Sequence, residues 1–191
     1  MKQRLYIVKI GGAILEKQSY LQALLDDFAQ LQGEKILVHG GGKSASELAR
    51  KLGVEAPLIE GRRVTNEAML EVALMTYGGL KNRTLVAQLQ ARGCMALGLG
   101  GADLDMIRAQ KRSQQAIDFG FVGDILKVNV ENLFKLLQGG ICPVFASLSH
   151  DGQGQMLNTN ADSIASHLAQ AMSPGFEVPL IYLFEKKGVL Q

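Results

Sequence analysis

Short apolar runs that close on glycine alternate along the chain with longer stretches whose apolar positions recur every three or four residues. Leu5–Ile10 is the first such run, and with Gly11-Gly12 behind it predicts a buried strand and a turn. Tyr20, Leu21, Leu24, Leu25, Phe28 and Leu31 then fall at helical spacing. Residues 19–32 therefore predict an amphipathic helix with Ser19 as N-cap and Gly33 as its stop. Residues 35–38 predict a second strand, followed at once by His39-Gly40-Gly41-Gly42. Ser44 and Glu47 have capping-box spacing, which predicts a helix over 44–52. Strand, helix, strand, helix in this order is the pattern of a parallel sheet covered by helices.

The middle of the chain is more helical. Thr65 is placed to cap a helix over 66–77, and a second helix is predicted over 80–91, with Gly78-Gly79 between them. Residues 94–99 predict a third buried strand. Residues 103–128 predict a β-hairpin with an irregular tip near 111–116. Val130, Leu133, Phe134 and Leu137 place a helix before Gly139-Gly140, and 141–148 predicts a further strand. Asp151-Gly152-Gln153-Gly154 reads as a turn. Asn160 is the N-cap of a helix running to about Ala171, Ser173-Pro174-Gly175 breaks it, and 178–183 predicts a last strand.

Composition narrows the class. The chain has 191 residues, 47% hydrophobic and 20% charged, which is globular and suits one large domain or one domain with part of another. Lys+Arg is 20 against 18 Asp+Glu, too even a balance to mark a nucleic-acid binder by electrostatics alone. No apolar run approaches the ~18–20 residues of a membrane span. Met1-Lys2-Gln3-Arg4 leads straight into the first strand without a signal-peptide pattern, which predicts a cytoplasmic location. Cys94 and Cys142 sit in apolar surroundings and read as buried thiols in a reducing compartment. With the 3 His they are too scattered for a zinc site. The 22 glycines punctuate apolar segments instead of gathering in one linker.

Four segments carry candidate chemistry. Lys9, in Val8-Lys9-Ile10-Gly11-Gly12, is a cation in a buried strand, which is costly unless the ammonium meets an anion or reaches solvent. His39-Gly40-Gly41-Gly42 joins a strand to a helix N-terminus. There it is either a tight turn or a phosphate or carboxylate cradle, and His39 is more simply a packed hydrogen-bonding residue than a base. In Asn158-Thr159-Asn160-Ala161-Asp162, Asn160 and Asp162 suit a helix cap, while Asn158 has an amide to spare for a ligand. Gly61-Arg62-Arg63-Val64-Thr65 is either a solvated basic turn or a bidentate carboxylate site.

Taken together and in this order, these segments, with Asn82-x-Thr84-Leu85 and Phe121-Val122-Gly123-Asp124, resemble the amino-acid kinase family, and within it the acylglutamate branch. The resemblance implies a three-layer α/β/α sandwich with a largely parallel sheet. Residues 1–174 would form the lobe that binds the acylated amino acid, and 175–191 would begin a nucleotide lobe. It implies ATP-dependent phosphorylation of the γ-carboxylate of N-acetyl-L-glutamate in arginine biosynthesis, with Mg²⁺ accompanying ATP, and a homodimer built through the N-terminal lobe. No nucleic-acid or membrane partner is implied. By resemblance, Lys9 stabilises the transferring phosphoryl group, and N–H groups around Gly11, Gly12, Gly41 and Gly42 cradle phosphate and substrate. Arg63 pairs with the α-carboxylate, Asn158 contacts the acylamino acid, Asn160 lies toward the phosphates, and Asp162 orients the catalytic lysines. Glu185 and Gly188 fall at nucleotide contacts, Glu185 standing where the family has Asp. Family members continue well beyond the position of Gln191 to a second lysine, so the resemblance implies an incomplete active site and an inactive 191-residue chain. Arg62 stands where the family often has an apolar residue. With Lys81 and Arg83 around Asn82, that extra charge suits an acyl group with its own carboxylate, such as succinyl. The alternative is a non-catalytic ligand-binding or regulatory module on the same lobe.

Overall fold

The computed structural model describes residues 2–55, 57–59, 62–113 and 117–184. β1 (Leu5–Ile10) leads through α1 (Gly12–Glu16) into α2 (Gln18–Gln30) and β2 (Glu34–His39). α3 (Gly42–Leu52) and the short pair β3 (Leu58–Ile59) and β4 (Arg62–Arg63) precede α4 (Glu67–Ala73). A π-helix over Leu74–Lys81 joins α4 to α5 (Asn82–Gln90). There follow β5 (Ala96–Leu99), a 3₁₀ turn (Asp103–Asp105), β6 (Ile107–Lys111), β7 (Gly123–Val128) and α6 (Val130–Gln138). β8 (Cys142–Ala146), β9 (Leu148–His150), β10 (Met156–Asn158), α7 (Ala161–Met172) and β11 (Leu180–Leu183) complete the described order.

Five strands form an all-parallel sheet in the order β11-β1-β2-β8-β5. The strand period of two sorts its side chains to two faces. Leu5, Ile7, Ile36, Val38 and Phe145 pack with Leu133 of α6 and Ile164, Leu168 and Met172 of α7. Val8, Ile10, Leu37, Cys142 and Val144 pack with Leu21, Leu25 and Phe28 of α2 and with Leu85 and Leu89 of α5. Helices on both faces of one parallel sheet make the three-layer sandwich. A second, mixed sheet in the order β10-β9-β6-β7 lies beyond the carboxyl end of β8 and contains the hairpin predicted for the middle of the chain, whose residues 114–116 lie outside those described. Cys94 and Cys142 are buried free thiols, and burial pushes the Cys142 thiol up to about 12, with Cys94 adding to the effect.

Four expectations are corrected. Ser19 does not cap α2, which begins at Gln18 with Lys17 as its N-cap. Gly78-Gly79 is no turn, because helical backbone continues from Glu67 to Gln90 with the glycines inside the π-helix. Gly78 packs on β9, where an added Cβ would lie 3.2 Å from Leu148 Cδ1. The glycine pair serves close packing there. Ser44 is not a cap either. α3 starts earlier, with Gly41 as its N-cap, and Ser44 Oγ donates to Glu16 Oε1 at 2.6 Å. Asn66, not Thr65, caps α4, its Oδ1 accepting from Met69 N at 2.9 Å. Thr65 is instead fully buried and bonds through its backbone to Phe119 and Phe121.

Candidate active site

A cavity of about 720 Å³ opens at the carboxyl ends of β1 and β2, where ligands collect in open parallel sheets. Lys9, Gly12, Gly41, Gly42, Arg63 and Asn158 all line it, as do Asn160 and Asp162. Lys9 shares the parity of Leu5 and Ile7, so it points to the α7 face. Asn160 caps α7 by accepting from Ser163 N at 3.0 Å, which places Asp162 in the first helical turn. Lys9 Nζ and Asp162 Oδ1 meet there at 2.7 Å, the lysine side chain 14% exposed and the aspartate 53%. Asp162 thus fixes the ammonium at the cavity wall.

The glycine turn after β2 supplies the neighbouring wall. Gly42 opens α3, so its N–H has no intrahelical acceptor. Gly41 lies under the ring of Tyr77, and an added Cβ would come within 2.6 Å of Tyr77 Cδ1. Tyr77 is brought there by the π-helix. Its burial pushes the phenol pKa up, against the pull of the nearby Arg63 guanidinium. Arg63 Nη2 donates to Gly42 O at 3.0 Å and to Ser46 Oγ at 2.7 Å, tying β4 to the start of α3. Asn158 Nδ2 donates to Thr65 Oγ1 at 3.0 Å, and Asn158 N to Phe121 O at 2.9 Å.

Gly11 stands apart from this set, since its N–H is spent on Leu183 O at 2.8 Å within the sheet. Glu185, Gly188, Gly61 and the Arg62 side chain lie outside the described residues. His39 is fully buried behind the turn. Its Nδ1 lies 2.8 Å from Gly40 O and its Nε2 3.0 Å from Asn82 Nδ2, while that same amide donates to Val144 O at 2.8 Å. The partners assign the tautomer, with Nδ1 donating and Nε2 accepting. Burial pushes the imidazole down to about 4, the Gly40 bond opposing and Lys81 assisting. His39 is a neutral packing residue. Asn82 is structural for the same reason. Lys81 pairs with Glu16 at 2.9 Å and Arg83 Nη1 lies 3.5 Å from Gly98 O, so neither is a spare cation gathered around Asn82.

Sequence patterning passed over Tyr77, whose segment looked like a helix end, and Arg112, which fell at the expected hairpin tip. Arg112 lines the cavity and pairs with Asp124 of β7. The described lining residues carry four cations, Lys9, Lys43, Arg63 and Arg112, against the single carboxylate of Asp162. A cavity of that sign suits polyanions. Among the described residues no group of three His, Cys, Asp or Glu side chains gathers to hold a metal, and no helix is long and apolar enough to cross a membrane.

Comparison with known proteins agrees with this geometry. Residues 4–190 match the model of the amino acid kinase family. The acetylglutamate kinase of Bacteroides thetaiotaomicron is 52% identical over 191 residues, covering 100% of this chain and 74% of its own length. That of Methanopyrus kandleri is 37% identical over 189 residues, 97% of this chain and 73% of the relative. Among solved structures, smu.665 from Streptococcus mutans superposes with a TM-score of 0.78 at 25% identity, over 88% of this chain and 69% of that one. N-acetylglutamate synthase from Neisseria gonorrhoeae shares the fold, with a TM-score of 0.81 at 22% identity over 98% of this chain and 42% of its own. A family model matched along nearly all of the sequence, with a relative 52% identical over the whole of this chain, places the chain in the amino acid kinase family.

Proposed function

We propose that the cavity holds an N-acyl-L-glutamate, with N-acetyl-L-glutamate its simplest form, while ATP phosphorylates the γ-carboxylate in arginine biosynthesis. The observation that carries this is the Lys9–Asp162 pair set beside the N-terminus of α3 in a cavity that also contains Arg63. A γ-carboxylate oxygen attacks the terminal phosphorus of ATP, the bridging P–O bond breaks toward ADP, and an acyl phosphate forms without any proton transfer. A carboxylate is ionised at pH 7, so the chemistry needs no general base. The difficulty is bringing anions together, and charge placement meets it.

In this function Lys9 neutralises the transferring phosphoryl group and Asp162 keeps the ammonium aimed. Backbone N–H groups at Gly12, Gly41 and Gly42 receive substrate and phosphate oxygens, Arg63 takes the α-carboxylate and Asn158 the acylamino group. Asn160 caps α7 and borders the phosphate side. Residues 1–174 form the acylamino-acid lobe and 175–191 begin the nucleotide lobe. The lining does not fit a protein-held Mg²⁺, because its one described carboxylate is on Lys9; the ion belongs to the phosphates of ATP. The function carries with it a cytoplasmic enzyme that dimerises through the N-terminal lobe.

The test is ATP-dependent trapping of the acyl phosphate with hydroxylamine, using the full-length protein and N-acetyl-L-glutamate. Hydroxamate should form in step with ADP, and Lys9→Ala should lower kcat by about 10²–10³ with the fold intact. Binding of the glutamate derivative without any hydroxamate would favour the non-catalytic module instead.

A further inference from the structure

Arg112 is a cavity cation to which the function above gives no task. Its backbone N–H donates to Val122 O at 2.8 Å, and Val122 bridges to Asn158, so Arg112 stands beside the residue assigned to the acylamino group. The guanidinium is anchored on one edge. Nε lies 3.1 Å from Asp124 Oδ1, Nη2 bonds to the same carboxylate, and the Phe119 ring centre lies 5.6 Å from the guanidinium carbon. Nη1 is closed to solvent and has no acceptor among the described residues. A buried, charged N–H without an acceptor is costly. No described residue answers it, and an acceptor carried by a ligand in the cavity would.

The other charges in the lining point the same way. Asp162 answers Lys9, and Asp124 answers one edge of Arg112, while Lys43 and Arg63 stand with the glycine turn. Those two match the α- and γ-carboxylates, and the unanswered Nη1 edge of Arg112 is the donor left over. We propose that Arg112 reads a carboxylate at the end of the acyl group, so that the site prefers N-acylglutamates with a dicarboxylic acyl chain, such as N-succinyl-L-glutamate, over N-acetyl-L-glutamate. This rests on the acylglutamate kinase function proposed above. Val122, next to Arg112 in the lining, gives the acyl methylenes apolar contact. The chain's carboxylate then meets Nη1 through a small turn of the guanidinium about its Asp124 anchor. Arg112 is a better basis for this preference than the cations around Asn82, which are paired or turned elsewhere.

Titration calorimetry of the full-length protein with N-acetyl- and N-succinyl-L-glutamate tests it, in wild type, Arg112→Met and Arg112→Lys. Wild type should bind the succinyl compound about 10-fold or more tightly, the scale of one charge-assisted hydrogen bond. Arg112→Met should bring the ratio close to one, and Arg112→Lys should hold an intermediate value. Equal affinities in wild type, or a preference for acetyl, overturn the Arg112 assignment and leave the kinase function standing. Wild type binding neither compound overturns both. An equal loss of both ligands in a folded Arg112→Met makes Arg112 a scaffold residue and refutes the specificity role. The wild-type ratio needs no variant, so it decides even where a variant misfolds.

Discussion

Acid should unsettle this fold through His39. The ring is fully buried at the end of β2, with both nitrogens engaged in its neutral form and no room for a second proton. Its folded pKa is pushed from 6.5 down to about 4, first by burial. The folded value lies below the unfolded one, so between the two the unfolded chain binds more protons. The stability tied to neutral His39 is therefore complete above about 6.5 and drains as pH falls toward 4. At about 1.4 kcal/mol per pKa unit, the gap amounts to roughly 3 kcal/mol, a large share of the ~5–15 kcal/mol typical of a domain. Urea unfolding between pH 7 and pH 4.5 measures it, with His39→Gln as the reference because Gln can donate to Gly40 and accept from Asn82 without titrating. The half-buried Asp105 and Asp151, their carboxylates held below the usual range by their hydrogen bonds, act in both proteins and cancel in the comparison. Wild type should lose about 1 kcal/mol per pH unit more than the variant below pH 6. Parallel curves, or an NMR titration of His39 with a midpoint near 6.5, would refute the reasoning.

Gly41→Ala drives a methyl into the Tyr77 ring and should cost about 1–3 kcal/mol in urea unfolding together with much of the acylglutamate affinity. A second substitution, Tyr77→Leu, should restore part of the stability if that contact is the cause. Asn82→Ala leaves Val144 O and His39 Nε2 without their donor, and a loss of about 2–3 kcal/mol is expected by the same measurement. Arg63→Lys turns a fork into a point charge and should raise KM for the acylglutamate more than it lowers kcat, by about 1.5–3 kcal/mol at most; a pure kcat effect would remove Arg63 from substrate binding.

The sequence made the parallel sheet and its covering helices legible because glycine stops and apolar runs report burial directly. It also made Lys9, Asn160 and Asp162 legible, since a strand-end cation and a helix cap are local patterns. Two kinds of residue escaped. Gly78 looks the same whether it turns a chain or lets a helix lie against Leu148, and only the neighbour decides. Arg112 is a basic residue in an irregular hairpin until Asp124 and the cavity surround it. The capping-box spacing of Ser44 and Glu47 misled for a related reason. Glu16, far away in sequence, competes for the serine hydroxyl, and no local window contains it.

The position of His39 also bears on which acceptors such a cavity can serve. Transfer to a hydroxyl needs a base in contact with the acceptor. The cavity's one described carboxylate has an oxygen on Lys9, and the histidine nearest the glycine turn is buried behind it with a pKa near 4 and both nitrogens occupied. The lining offers four cations and backbone N–H groups instead. Among the described residues that inventory stabilises negative charge and includes no free base, so it suits an acceptor that arrives already ionised. A γ-carboxylate meets that condition. An alcohol of the same shape, the γ-hydroxymethyl analogue of N-acetylglutamate, does not, and it should bind in the cavity without being phosphorylated.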